Sequence, residues 1–271
     1  MGGVPKYLEL YQKSKSVRLN IADLCFKKNA YMSEEYQRIF ISHFGKVPYY
    51  QRIVEYLAQR GFANRDQILR HCQLKSGGRM STFLEDLDLA GFIEGYSPVH
   101  KATSTHLRRF RIADPYLRFF FRFISPQLNR IRTDSEGIPF AHALPESRYL
   151  PYLGLAFEQF CHSHAHTIAR RLGFSAVNYQ HGSWFRKSDL GTGAQIDLLF
   201  KRSDNVITLC EVRYRKRIDK SIITEVERKC DTLSQWTKAT IEKVLITAYP
   251  PANDLYNEGY FSTVLTPDDF V

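Results

Sequence analysis

Two acids stand inside runs of residues that otherwise read as buried strands. The stretch AQIDLLFKRSDNVITLCEVRYRKR (194–217) has Asp197 in its first apolar run and Glu211 near the end of its second. Arg213 follows two residues after Glu211. Side chains alternate across a strand, so Val206, Thr208, Cys210 and Val212 share one face and Ile207, Leu209, Glu211 and Arg213 the other. Glu211 and Arg213 therefore point the same way, ~6–7 Å apart along the strand. The same alternation sets Asp197 opposite the face of Ile196, Leu198 and Phe200. A turn at Ser203-Asp204-Asn205 closes the two runs into a hairpin and can bring Asp197 beside Glu211.

Two carboxylates held together repel, and each tends to be protonated unless a cation sits between them. Mg²⁺ or Mn²⁺ suits that position, because such a cation uses one or two carboxylates and takes substrate phosphate oxygens as further ligands. An Asp, then Glu-x-basic on the next strand, predicts a phosphodiester hydrolysis site with Asp197 and Glu211 as metal ligands and Arg213 facing the phosphate. Glu158, in LGLAFEQFCHSH, is a candidate third acid on a helix expected to bury Leu155, Phe157, Phe160 and Cys161. The basic run after the second strand adds Arg215, Lys216 and Arg217 as candidate phosphate contacts. His162 and His166 are one helical turn apart, but HExxH is absent and no further zinc ligand is set by spacing. Cys161 and Cys210 stand in apolar contexts that predict packing over nucleophilic work.

The chain of 271 residues is 44% hydrophobic and 14% aromatic, which is enough apolar material for a folded core and argues against disorder. A formal net charge of +10 favours an acidic partner, most simply nucleic acid. Five scattered cysteines with no CxxC suggest neither a disulfide framework nor a structural zinc site, and a reducing, cytoplasmic setting is expected. The start lacks a signal-peptide core, and no apolar run reaches the ~18–20 residues that span a bilayer. The richest, YLRFFFRFI (116–124), is broken by Arg118 and Arg122.

The expected fold class is mixed α/β, with elements positioning the acids late in the chain. Residues 1–45 read as short helices. Residues 46–112 read as three helices and then two strand-like pieces, the order of a winged helix-turn-helix. Its third helix carries the stripe Met80, Phe83, Leu84 and Leu87. Lys75, Arg79, Lys101, Arg108 and Arg109 are its candidate phosphate contacts, although Glu85, Asp86 and Asp88 oppose insertion of that helix beside phosphates. Residues 113–148 give an aromatic-rich helix, expected to pack between domains, and a looser linker at 134–148 with Gly137 and two prolines. From 149 to 271 the order is αβββαβ with a possible last strand: one long helix through 173, a strand at SAVNYQ, the acid-bearing hairpin, a helix with Ile222, Val226, Cys230 and Leu233 on one side, and a strand at KVLITAY.

FEQF, GAQIDLLF and LCEVRYRK resemble the three active-site segments of PD-(D/E)XK restriction-endonuclease-like folds. Together with GGVPKYLELY and RIADPYLRFFFRF they resemble the C-terminal half of prokaryotic AAA-type ATPases, in which a winged helix precedes such a nuclease-like domain. The resemblance implies a DNA-associated protein with Asp197 and Glu211 as metal ligands and Glu158 as auxiliary acid. It places Arg213 where those folds carry a lysine, and arginine is a poor proton shuttle. Lys216 can stand in for it if the chain bends, although alternation puts it on the other face. No GxxxxGK[ST] occurs, so no Walker-type ATPase activity is expected of this chain. The resemblance also implies an alternative: a non-catalytic module that binds DNA or regulates a separately encoded ATPase, this chain being the detached half.

Overall fold

The computed structural model describes residues 4–73, 78–96, 108–186 and 193–270. Lys75 and Lys101, named above as phosphate contacts, lie outside the described residues. The chain divides into two compact units. Among the described residues the first comprises 4–96 and 108–149, the second 150–270. The class is α/β, with helices and a mixed five-stranded sheet.

The first unit starts with helices α1 (Pro5–Glu9), α2 (Val17–Cys25) and α3 (Tyr31–Phe44). Then come α4 (Pro48–Arg60), a two-residue strand β1 (Ala63–Asn64), α5 (Arg65–Cys72), α6 (Gly78–Leu89), β2 (Ile93–Tyr96) and β3 (Arg109–Ile112). The local chemistry explains the boundaries. Pro48 opens α4 with a preset φ, and Gly61 closes it at φ +80°, a conformation that costs other residues strain. Asn64 caps α5 through a reciprocal box, its side chain accepting from Gln67 N while Gln67 accepts from Asn64 N. The three strands form an antiparallel sheet ordered β1-β3-β2. Met80, Phe83, Leu84 and Leu87 are buried as the stripe predicted.

The aromatic stretch forms α7 (Pro115–Phe119), a π-helical turn over Phe120–Ile124, a 3₁₀ turn, and α8 (Leu128–Thr133), where the sequence suggested one uninterrupted helix. Its rings pack inside the first unit. Phe120 stacks on Tyr36 at 4.7 Å, and the Tyr116 hydroxyl donates to Met32 O at 2.8 Å. The segment expected as a linker carries a short helix, α9 (Phe140–Ala143), and Ile138 and Leu144 are buried.

The second unit holds α10 (Glu146–Ser163) from Leu150 onward, then α11 (Ala165–Arg171), β4 (Tyr179–Arg186), β5 (Ala194–Arg202) and β6 (Val206–Arg213). It continues with α12 (Ser221–Ser234), β7 (Thr240–Thr247), α13 (Asn253–Asn257) and β8 (Thr263–Leu265). The long helix predicted through 173 breaks at His164, and the strand placed at SAVNYQ begins only at Tyr179. Strands run β4-β5-β6-β7-β8, antiparallel through β6 and parallel from there. The α12 crossover is what makes the β6–β7 pair parallel. Each sheet face carries helices. Ile207, Leu209 and Leu245 pack with Ile222, Val226 and Leu233 of α12. On the other face, Leu198, Phe200, Cys210 and Val212 pack with Phe157, Cys161 and Ile168 of α10 and α11. Covered on both sides, β6 is buried from Ile207 to Val212.

Two packing expectations are corrected here. Leu155 is 60% exposed and Phe160 36%, so α10 buries only Phe157 and Cys161 of the four residues named. Ile196 packs on the α12 face while Leu198 and Phe200 pack on the other, so the three do not share a side. Among the described residues no helix is long and apolar enough to cross a membrane. All five cysteines are buried free thiols.

Candidate active site

The break in alternation along β5 has a local cause. Gly182 pairs with Leu199 and Trp184 with Ile196, so β4 advances two residues while β5 advances three. The extra residue is a β-bulge at Asp197–Leu198, and a bulge re-aims side chains and ends regular pairing. On the other side of β5, the ladder with β6 ends at Leu198–Cys210. Asp197 and Glu211 are the next residues beyond that last pair. Both acids therefore stand where the two strands leave their ladder.

Glu211 has 0% exposure. Burying a carboxylate costs several kcal/mol unless it is paired, and the pairing is found on α12. Lys229, 6% exposed, donates to Glu211 Oε1 at 3.0 Å and Oε2 at 2.8 Å. The Arg213 guanidinium also contacts Glu211 and bridges to Glu225, which lies 3.6 Å from Lys229 Nζ. Two acids and two bases thus interlock across β6 and α12. Burial pushes the Glu211 carboxyl above the usual carboxylate range, against the pull of Lys229 and Arg213. Burial opposes the charge on Arg213, but Glu211 and Glu225 outweigh it and raise its pKa. Burial also opposes the Glu225 charge, yet Arg213 and Lys229 win and lower its pKa.

Asp197 is half-buried and accepts from Gln195 Nε2 at 3.2 Å. Glu158, on α10, completes the set. Its carboxyl is pushed up to about 7, first by burial and then by the negative charge of Asp197, with a smaller push from Glu211. Glu158 thus feels the charges of Asp197 and, more weakly, Glu211, while Arg213 and Lys229 pull its carboxyl the other way. Among the described residues no group of three or more His, Cys, Asp or Glu side chains is arranged to hold a metal ion.

Lys229 is the residue that sequence reasoning missed. Its signal was present, since Val226, Lys229 and Leu233 follow the three- and four-residue spacing of a buried stripe. A lysine on such a stripe needs an acid opposite it. Lys216, considered as a stand-in for the expected lysine, is exposed in the loop after β6, as are Arg215 and Arg217.

The other candidates are distributed as follows. In the first unit, Arg108 pairs with Asp88 at 2.9 Å, and Arg109 lies over the Phe62 ring. Arg79 is exposed at the start of α6, over Phe83. The histidines of α10 and α11 do not converge. The Tyr179 hydroxyl hydrogen-bonds His166 Nδ1 at 2.7 Å, and His164 Nδ1 reaches Phe160 O at 2.8 Å. Cys161 and Cys210 have thiols pushed up by burial, which fits packing residues.

No family model matches the chain. It is similar to an uncharacterized protein, MJECL04, of Methanocaldococcus jannaschii, with 24% identity over 227 residues that cover 81% of this chain and 47% of that one. The chain thus spans about half the length of the curated relative it matches. Among solved structures it is similar to protein VC1899 from Vibrio cholerae, at 12% identity and a TM-score of 0.32, over 93% of this chain and 57% of that one. It is also similar to Can2 from Sulfobacillus thermosulfidooxidans, solved in complex with cyclic tetra-adenylate, at 11% identity and a TM-score of 0.31, over 93% and 56% of the two chains.

Proposed function

We propose that the second unit is a restriction-endonuclease-like domain that hydrolyses phosphodiester bonds of DNA with Mg²⁺ or Mn²⁺. The observation that carries this reading is the position of Asp197 and Glu211 just beyond the last β5–β6 pair, with a buried lysine on Glu211. The donor chemistry fits a hard divalent cation, since carboxylate oxygens are its preferred ligands. Burial first, and the charge of Asp197 second, raise the Glu158 carboxyl. Asp197 and Glu211 would hold the cation, which when bound lowers the pKa of a water and offsets phosphate charge.

The chain's own groups have distinct tasks. Lys229 grips both oxygens of Glu211 and so holds the carboxylate in one orientation. It also supplies the lysine that Arg213 replaces in the strand motif. Arg213 offers a planar, permanently charged fork to phosphate oxygens. Glu158, with a pKa near neutrality, can take the proton of the attacking water, whose oxygen bonds to phosphorus as one P–O ester bond breaks and the leaving sugar oxygen takes a proton from solvent. In the first unit, three helices and the β1-β3-β2 sheet support the winged-helix reading, with Arg79 and Arg109 as phosphate contacts. Arg108 is a weaker candidate because Asp88 already offsets its charge.

Plasmid DNA incubated with the protein and Mg²⁺ or Mn²⁺ tests the reading. Wild type is expected to cut, and Asp197→Ala, Glu211→Ala and Lys229→Met to lose 100-fold or more. Equal cutting by wild type and variants, or none by any, removes it. A second reading has its own support, since Glu211 is already engaged by both Lys229 and Arg213. On that reading the unit is a non-catalytic module that binds DNA or regulates a separately encoded ATPase. DNA binding without Mn²⁺ binding in a calorimetric titration would favour it.

A further inference from the structure

Arg213 faces two ways. Besides its contact with Glu211, it lines a pocket of ≈ 80 Å³ with Arg215, Arg217, Asp219, Ser221 and Glu225. Pockets for whole small molecules run to about 300–1,000 Å³. This one is smaller than that and takes several waters or one compact polar group. Its charge narrows the choice further. Glu225 is committed to Arg213 and Lys229. The Asp219 carboxylate accepts from Ser221 N at 3.0 Å and from Ser221 Oγ at 2.6 Å. Arg215 and Arg217 are exposed and make no ion pair within 4.0 Å among the described residues, although the Arg217 charge acts on Asp219. What remains is two guanidinium groups against one carboxylate, at the mouth of a small polar pocket.

We infer that this pocket receives the terminal phosphate of a nucleic-acid strand and so sets the strand end beside the acid cluster. The inference rests on the nuclease-like reading and specifies its substrate. Guanidinium forks match phosphate oxygens two at a time. A terminal phosphate monoester carries about 1.5 to 2 negative charges and only one attached sugar. An internal phosphodiester carries one charge and must bring two sugars through the same opening. Both differences favour the strand end. Arg213 lies on the shared wall, so a phosphate seated on Arg215 and Arg217 is one arginine away from Glu211.

The test is a set of binding titrations in EDTA, followed by fluorescence anisotropy. The probes are one oligonucleotide with a 5′-phosphate, the same with a 3′-phosphate, and the same with hydroxyl ends. Wild type is expected to bind one phosphorylated form three- to ten-fold more tightly than the hydroxyl form. Inorganic phosphate should erase that difference, and Arg215→Gln/Arg217→Gln should abolish it with an unchanged circular dichroism spectrum. Asp197→Ala should keep it. Equal affinity for all three strands overturns the inference, as does a preference that survives in the double variant. Competition by inorganic phosphate without any end preference also overturns it, since the pocket then serves a free anion. If the end preference holds while no Mn²⁺-dependent cleavage occurs, the catalytic reading fails and the end-binding pocket stands.

Discussion

Replacing Lys229 by methionine probes the centre of the site without touching its acids. Methionine keeps the length and packing of the lysine stem but removes the charge gripping Glu211 Oε1 and Oε2 at 3.0 and 2.8 Å. Breaking a buried pair by removing one partner costs about 3–5 kcal/mol, because the other charge is left buried. Arg213 still contacts Glu211, so the lower end applies, about 3 kcal/mol. Glu211→Gln should cost a similar amount by stranding Lys229. Removing both charges together leaves nothing to strand, and the double variant should recover about 2 kcal/mol of the summed cost, within the range for residues in contact. Both tryptophans, Trp184 and Trp236, belong to the second unit, so their fluorescence during urea unfolding reports the unit that carries the pair. Single and double variants would be compared at one pH in EDTA, by midpoint at unchanged slope. Costs that add within 0.5 kcal/mol, or single variants as stable as wild type, would refute the buried-pair argument.

Glu158 gives a pH signature. Its folded carboxyl is raised to about 7 from an ordinary value of 4.5, so the native state holds a proton over that interval which the unfolded chain has released. Its stabilising contribution is therefore full below about 4.5 and lost as pH rises through about 7. The full shift corresponds to about 3 kcal/mol; allowing for the partial exposure of the side chain, about 2 kcal/mol should separate wild type from Glu158→Gln across the window. Urea unfolding at pH 4.5 and at pH 8 checks it, and a flat difference would contradict the burial of the Glu158 carboxyl. In the first unit, Asn64→Ala removes the α5 capping box and should cost about 1 kcal/mol, seen as a drop of about 2–4 °C in the thermal midpoint by circular dichroism. An unchanged midpoint would mean that water replaces the cap without loss.

The amino-acid sequence by itself determined the periodic elements and the sides on which their residues fall. Glu211 and Arg213 share a face because alternate positions on an unbroken strand leave no other choice. The buried stripe of α6, the capping of α5 and the hairpin turn before Val206 follow equally from local chemistry. The tertiary structure decided what spans elements. A bulge depends on how two strands pair, so the irregularity at Asp197 and the split between Ile196 and Leu198 were not legible in β5 alone. Leu155 and Phe160 looked buried because helical spacing ranks residues by type, whereas exposure depends on which part of α10 a neighbour covers. Lys229 is the clearest case. It stands 18 positions after Glu211, on a different element, and only the packing of α12 on β6 brings its ammonium to that carboxylate. Periodicity is a property of a segment. Pairing of charges in a low-dielectric interior is a property of the packed layers, and it is there that this site acquires its lysine.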